Sequence, residues 1–299
     1  MAYIANHPDY DKTIDDVKLV RHAIEGEAAV KREGKIYLKN PSMVDSTSQQ
    51  NKDRYAAYLG RAEFDSVCGS TEIELMGAFK NSPHEIELPS QVGYLLDDSD
   101  GDALSLADAI NIAAVNCLEV KFHILLAEFE DGGIEEGRQI TVAEKAKLKQ
   151  RAKIVHYPRE TLTNWEFAKI NGRVQLSKAC LTTEDIQVDD NFKETKRTKH
   201  LILALDENGY YRQKLIITQN NSEAVIDEGD WIEPKALGSR LDYIPIEIIQ
   251  DSRMIIGELP RQCGYLEPIA RKDIHRYQVN ADLKEKLAIL QDTVNSFGW

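Results

Sequence analysis

Apolar residues near the C-terminus recur at helical spacing. Ala270, Ile274, Tyr277 and Ala281 step by four, three and four, and Leu283, Leu287, Leu290 and Val294 repeat the same steps. This predicts one long helix from about Pro268 to Gln291, with Pro268 at a first-turn position that tolerates proline. At 1.5 Å per residue it would span roughly 36 Å. The two sets are out of phase: Ala281 and Leu283 lie about 200° apart at roughly 100° per residue. The helix therefore bends near Ala281, or its halves bury different faces against different neighbours. It folds back on its own domain or packs against copies of itself.

The same pattern predicts a helix over Asp11–Arg32, with Ile14, Val17, Val20 and Ile24 on one face, a possible break at Gly26 and a stop at Gly34. Asn40–Asn51 is polar and reads as a loop. Lys52–Lys80 is helical, with Gly69 and Gly77 allowing two helices. Ala107–Glu130 is the most hydrophobic helix, and it passes into a short strand near Phe122–Phe129, where Phe122, Ile124 and Leu126 alternate. Asp131–Gly137 reads as a turn and Thr141–Gln150 as a short charged helix.

From Arg151 the period changes to two. Strands are predicted over Ala152–His156, Leu162–Ile170, Arg173–Thr182, Thr198–Leu205, Tyr210–Thr218 and Tyr243–Ile249. Asn171-Gly172 is the strongest hairpin signal, followed by Glu207-Asn208-Gly209. Thr183–Glu194 reads as a loop between hairpins. The fold class is α+β, with an antiparallel β middle third.

Composition narrows the chemistry. With 299 residues, 42% hydrophobic, the chain is long enough for one large domain or two ordinary ones. A net charge of −13 argues against a basic nucleic-acid-gripping surface. It leaves room for an acidic channel that lets DNA slide by repelling phosphate. Cys68, Cys117, Cys180 and Cys263 form no CxxC pair and read as buried free thiols. No signal peptide is visible, and the apolar stretch from Ile110 to Phe129 carries too many polar residues to span a membrane.

The acidic run Asp97, Asp98, Asp100, Asp102 matches no calcium-loop register. It reads as a solvated turn leading to Ser105, a helix N-cap with Asp108 in the first turn. Phosphate-loop, dinucleotide, nucleophile-elbow and HExxH motifs are absent from the sequence, and the seven histidines are scattered singly. His123 reads as a structural histidine. No catalytic residue, metal ligand or cofactor is indicated.

Several short motifs together resemble tailed-bacteriophage portal proteins, in a divergent branch. They begin at His7-Pro8-Asp9-Tyr10, Glu25-Gly26-Glu27, Val30-Lys31, Gly34 and Tyr37-Leu38. They continue through Tyr55, Tyr58, Arg61-Ala62, Phe64, Gly101 and Ser105-Leu106. Tyr157, Glu160, Asn164-Trp165, Asn171-Gly172 and Leu176 follow, then Ile244-Pro245 and Tyr277, Asn280, Ala281-Asp282. They are ordered and span most of the chain.

The resemblance implies a non-enzymatic, typically dodecameric ring at one vertex of the phage head. Double-stranded DNA would pass through its channel, driven by a separate terminase. The major capsid protein surrounds such a ring, and head-completion or adaptor proteins dock on it; no membrane is involved. The implied location is the virion, after assembly in the bacterial host cytoplasm. By this resemblance 1–150 is a mainly helical wing region, 151–258 an antiparallel β-rich wing region and 259–299 the stem helix. Portals of this kind continue into a clip and a second stem helix, whereas this sequence stops at Phe297-Gly298-Trp299, as an abbreviated portal or a portion of one would.

The residues expected at a subunit interface or channel are the charges of the long helix: Arg271, Lys272, Asp273, Arg276, Asp282, Lys284, Glu285 and Lys286. Two other readings are a monomeric head–tail adaptor or capsid-associated protein, and a metal-dependent phage nuclease built on Asp97–Asp102.

Overall fold

The computed structural model describes residues 4–41, 48–82, 85–129, 152–170, 172–188, 192–219, 224–236, 239–250 and 257–296. The turn expected at Asp131–Gly137 and the helix expected at Thr141–Gln150 lie outside them. The fold is mixed α and β, with antiparallel sheets and a long C-terminal helix. No helix among the described residues is long and apolar enough to cross a membrane. The chain forms two compact units, each assembled from segments distant in sequence.

The first unit comprises Met1–Ile14, Glu85–Cys117 and Lys121–Gln262. Three strands, β1 (Phe122–Phe129), β2 (Ala152–Pro158) and β10 (Ile246–Gln250), form an antiparallel sheet with β1 in the centre. A second antiparallel sheet runs in sequence order through β3 (Leu162–Ile170), β4 (Arg173–Val188), β5 (Glu194–Leu205), β6 (Tyr211–Gln219) and β7 (Val225–Glu228). β8 (Lys235–Ala236) and β9 (Ser239–Arg240) pair separately.

Alternation explains the core. Phe122, Ile124 and Leu126 point from β1 to one side and are buried with Leu162, Leu181, Leu203 and Leu205. On the opposite face of β4–β6, Cys180, Ile202 and Ile216 form a smaller buried cluster that Trp231 packs against. β3 and β4 pair as a hairpin up to Ile170↔Arg173, and Gly172 takes φ +81°, which a side chain would strain; Asn171 lies outside the described residues.

The sequence reading is wrong over Thr183–Glu194. Instead of a loop, β4 continues to Val188 and β5 begins at Glu194, in unbroken register from Lys178↔Ala204 to Val188↔Glu194. β3 pairs only as far as Leu181, and β6 only as far as Arg197. Among the described residues, Ile186–Val188 and Glu194–Lys196 are therefore a two-stranded arm with no neighbouring strand.

The second unit comprises Asp15–His84, Leu118–Val120 and Cys263–Trp299. α1 (Pro8–Glu25) and α2 (Glu27–Arg32) are separated at Gly26, which adopts φ +91°. The second helical region is two helices, α3 (Gln49–Arg61) and α4 (Val67–Lys80). Their break falls at Ala62–Ser66 rather than at a glycine. Ser48 and Ser66 supply N-caps, accepting the Asn51 and Gly69 N–H groups at 3.3 and 2.9 Å. Ser66 also donates to the Ala23 carbonyl at 2.6 Å, tying the start of α4 to the end of α1. α5 (Leu106–Val120) crosses from the first unit into the second at Leu118.

α6 (Glu267–Ser296) is continuous and longer than predicted. α3 and α4 pack against it.

A candidate assembly surface on the long helix

The two apolar tracks of α6 have different fates. Ala270, Ile274, Tyr277 and Ala281 are buried inside the second unit. Phe64 meets the Tyr277 ring edge-on, with centroids 5.8 Å apart. Leu283, Leu287, Leu290 and Val294 are instead 55–61% exposed, and Val279 joins them at 51%. At about 100° per residue these five fall within an arc of about 80°, and they extend over roughly 22 Å of helix. From Leu283 the steps of four, three and four are those of a coiled-coil seam.

Five half-exposed aliphatic side chains in one line are a patch rather than the scattered exposure of an ordinary surface. Covering the exposed half of each is worth on the order of 1 kcal/mol. Sequence reasoning found four of them by spacing; Val279 was missed because its neighbours Asn280 and Ala281 obscure the period.

The eight charged residues singled out on this helix have varied surroundings. Arg271 pairs with Asp16 at 2.6 Å and with Glu267 at 2.8 Å. Asp273 is buried and accepts the Cys68 backbone N–H at 2.7 Å, with Arg276 at 3.6 Å. Arg276 also pairs with Asp65 at 3.1 Å. Asp282 accepts the Tyr58 hydroxyl at 2.6 Å. Glu285, itself buried, pairs with Arg61 and lies 3.8 Å from Arg54, and Lys284 pairs with Glu63. Lys272 and Lys286 are exposed. Six of the eight thus hold α6 to the rest of its own unit.

Burial shapes the acid–base behaviour of the aromatics here. Tyr58 is pushed well up by desolvation first and by its bond to Asp282 second. The Tyr277 hydroxyl is pushed up to about 12, chiefly by burial.

The motif residues also come together. In the first unit the His7 ring stacks on Trp165 with centroids 4.0 Å apart, and the His7 N–H reaches the Thr163 carbonyl at 2.8 Å. Tyr10 donates to the Glu160 carbonyl at 3.1 Å, and Asn164 donates to the Ala5 carbonyl. In the second unit Tyr55 donates to the Leu38 carbonyl at 2.9 Å, and Gln278 donates to the Tyr37 carbonyl at 2.7 Å. These residues specify tertiary packing.

The acidic turn closes on itself. Asp98 Oδ1 accepts the N–H groups of Gly101 and Ala103 at 2.8 and 3.1 Å, and Asp100 Oδ1 accepts those of Asp102 and Leu104 at the same distances. Those N–H groups hold the Asp100 carboxyl below its ordinary value. Ser105 then caps α5, accepting the Asp108 N–H at 3.1 Å. Among the described residues no group of three or more His, Cys, Asp or Glu side chains is placed to hold a metal.

Compared with models of protein families, the chain matches none, and no curated protein matches it.

Proposed function

We propose that this chain is a ring-forming structural subunit of the portal class of tailed bacteriophages, with α6 as its stem helix. The observation that carries the proposal is the helix itself. Its first half is anchored in its own unit, while its second half presents a coiled-coil-spaced apolar stripe outward. A helix so arranged gains by packing against a neighbouring copy. The ordered sequence motifs and the α+β composition support the same reading, and the net charge of −13 suits a channel that must not grip DNA.

In this reading the ring sits at the head vertex of the virion. Double-stranded DNA passes through it under the action of a terminase, the major capsid protein surrounds it, and head-completion or adaptor proteins dock on it. The subunit performs no turnover.

Electron microscopy of the purified chain, with mass measurement in solution, tests this. Rings with a central hole and a mass that is a fixed multiple of 33.8 kDa are expected. A monomer at every concentration would sink it. A monomer that co-purifies with a head protein would point to an adaptor instead.

A further inference from the structure

The outward face of α6 carries one sign of charge. At about 100° per residue, the arc of about 140° that holds the exposed stripe also holds Lys272, His275, Arg276 and Lys286, and no carboxylate. Asp273 and Asp282 lie at its edges, bonded to the Cys68 N–H and the Tyr58 hydroxyl. Arg276 is paired with Asp65, while Lys272 and Lys286 stand exposed. A surface that complements this face is apolar and acidic. A second α6 face brings the same cations and is not acidic.

The second unit has one surface of the required kind. Outside α6, five large hydrophobic side chains of the unit are exposed among the described residues, and three of them are on α4: Val67 at 41%, Ile73 at 70% and Leu75 at 47%. On the helix they border a strip of small residues, Ser70, Gly77 and Ala78, with Ile73 on one side, Leu75 on the other and Val67 at its start. Glu74 lies near the middle of the strip and is exposed. The other charges nearby are accounted for. Glu72 is half-buried on the inward side, and Lys80 lies past Ile73, about 9 Å along the axis from Glu74. Glu63 and Asp65, just before α4, are paired with Lys284 and Arg276 of the same copy.

The two glycines of α4 differ. A Cβ at Gly69 would lie 2.9 Å from the Ile24 carbonyl oxygen, so the fold of the unit needs a glycine there. A Cβ at Gly77 would meet nothing within 4 Å. A glycine inside a helix is less stable than an alanine, and nothing within the unit requires this one. It thins the strip where a large side chain from outside would seat.

We propose that the leucine stripe of α6 in one copy packs on the outward face of α4 in the next, with Lys286 against Glu74. Charge, size and length agree. The cation and the carboxylate each lie near the middle of their face. Leucines on one helix meet small residues on the other, as ridges fill grooves. Leu283–Val294 and Val67–Ala78 each extend over roughly 17 Å. Within one copy the two faces cannot meet, because α4 and α6 pack together through their other sides, where Cys68 meets Asp273. The contact is therefore heterologous: it propagates head to tail and closes into a ring when the rotation permits. The inference rests on the self-assembling reading above and names the surface that receives the stripe.

The test uses the full chain, with the concentration for half-association read by analytical ultracentrifugation. Glu74→Lys and Lys286→Glu should each raise it about tenfold, and the two together should restore it. Gly77→Trp should raise it at least as much and leave the urea midpoint unchanged, because the position is open in the single chain. Under mild oxidation, Gly77→Cys combined with Leu287→Cys should give a covalent ladder of dimers, trimers and higher species; the four native cysteines are free and buried, so background cross-linking is low. If the chain assembles but Glu74→Lys and Gly77→Trp leave its association unchanged, the α4 contact is wrong and the assembly reading stands. Covalent dimers from Leu287→Cys alone would mean that α6 meets α6 and would also overturn the inference. A chain that never self-associates overturns both readings, and its binding as a monomer to phosphatidylglycerol vesicles would make the α6 face a membrane site instead.

Discussion

The Asp273 carboxylate, buried on α6, accepts the backbone N–H of Cys68 at 2.7 Å, although the two residues are 205 positions apart. Cys68 lies in the first turn of α4, where backbone N–H groups have no intrahelical partner and a negative charge is favoured. Asp273 thus acts as a tertiary cap, beside the local cap from Ser66. Replacing it by Ala leaves a buried N–H without that acceptor. The expected cost is about 2 kcal/mol in urea unfolding, with Asp273→Asn in between. A cost under about 0.5 kcal/mol for Asp273→Ala would show that the bond does not anchor the two helices.

The same pair governs a thiol. Burial pushes Cys68 up to about 12, and the neighbouring Asp273 charge adds to that. Reaction requires the thiolate, so native protein at pH 8 should leave Cys68 unmodified by a thiol reagent. The thiol should react on unfolding, and sooner in Asp273→Ala. Mass mapping of the modified cysteine reads this directly.

Tyr277 makes a prediction of the opposite sign. It is fully buried, its ring packs against Phe64, and its hydroxyl has no hydrogen-bond partner among the described residues. Burying such a group costs free energy, so Tyr277→Phe should leave stability unchanged or raise it by up to about 1 kcal/mol. A loss above about 1 kcal/mol in urea unfolding would mean that the hydroxyl is engaged after all.

Much of this was legible from spacing and much was not. Helix α6, the Ser105 cap, the β3–β4 hairpin and β3 could be read because each depends on residues close in sequence. The arm was missed because Ile186 and Val188 are its only apolar residues on β4 past Thr182, and a strand with both faces in solvent shows no hydrophobic alternation. The break between α3 and α4 was sought at glycines and occurs at Ala62–Ser66, where the Ser66 side chain bonds to Ala23 and Gly69. Periodicity placed Asp273, Asp282 and Glu285 on a helix, but it could not name Cys68, Tyr58 and Arg61 as their partners, because those contacts arise only when distant segments fold together.

Two histidines of the first unit tie stability to pH. His200 is buried between Thr182 at 3.0 Å and Thr218 at 3.1 Å, and desolvation lowers it below the ordinary value. His156, 2.9 Å from His123, is also lowered by burial, with Asp100 opposing. The folded state binds these protons less readily than the unfolded chain, so stability is complete above about 6.5 and falls as pH drops below it. The slope cannot exceed about 1.4 kcal/mol per pH unit for each group. Melting followed by Trp165 and Trp231 fluorescence should show a lower Tm at pH 5 than at pH 7. His200→Gln should melt lower at pH 7 but lose less on acidification; an equal loss would remove His200 from the effect.

The exposed stripe of α6 separates folding from assembly. Leu283, Leu287 and Leu290 make little contact within their own unit, so changing them to Gln should alter unfolding free energy by no more than about 0.5 kcal/mol each. If the stripe is an interface, the same changes remove the apolar area that a neighbour would cover, about 1 kcal/mol per side chain at each contact. Losses repeated at every contact of a closed ring accumulate, so Leu287→Gln with Leu290→Gln should shift the chain to monomer at concentrations where the parent assembles. Analytical ultracentrifugation beside urea unfolding reads both quantities on one preparation. Unchanged assembly with unchanged stability would show that the stripe faces solvent in the assembled state. A large loss of stability would instead place these leucines in the packing of the unit itself.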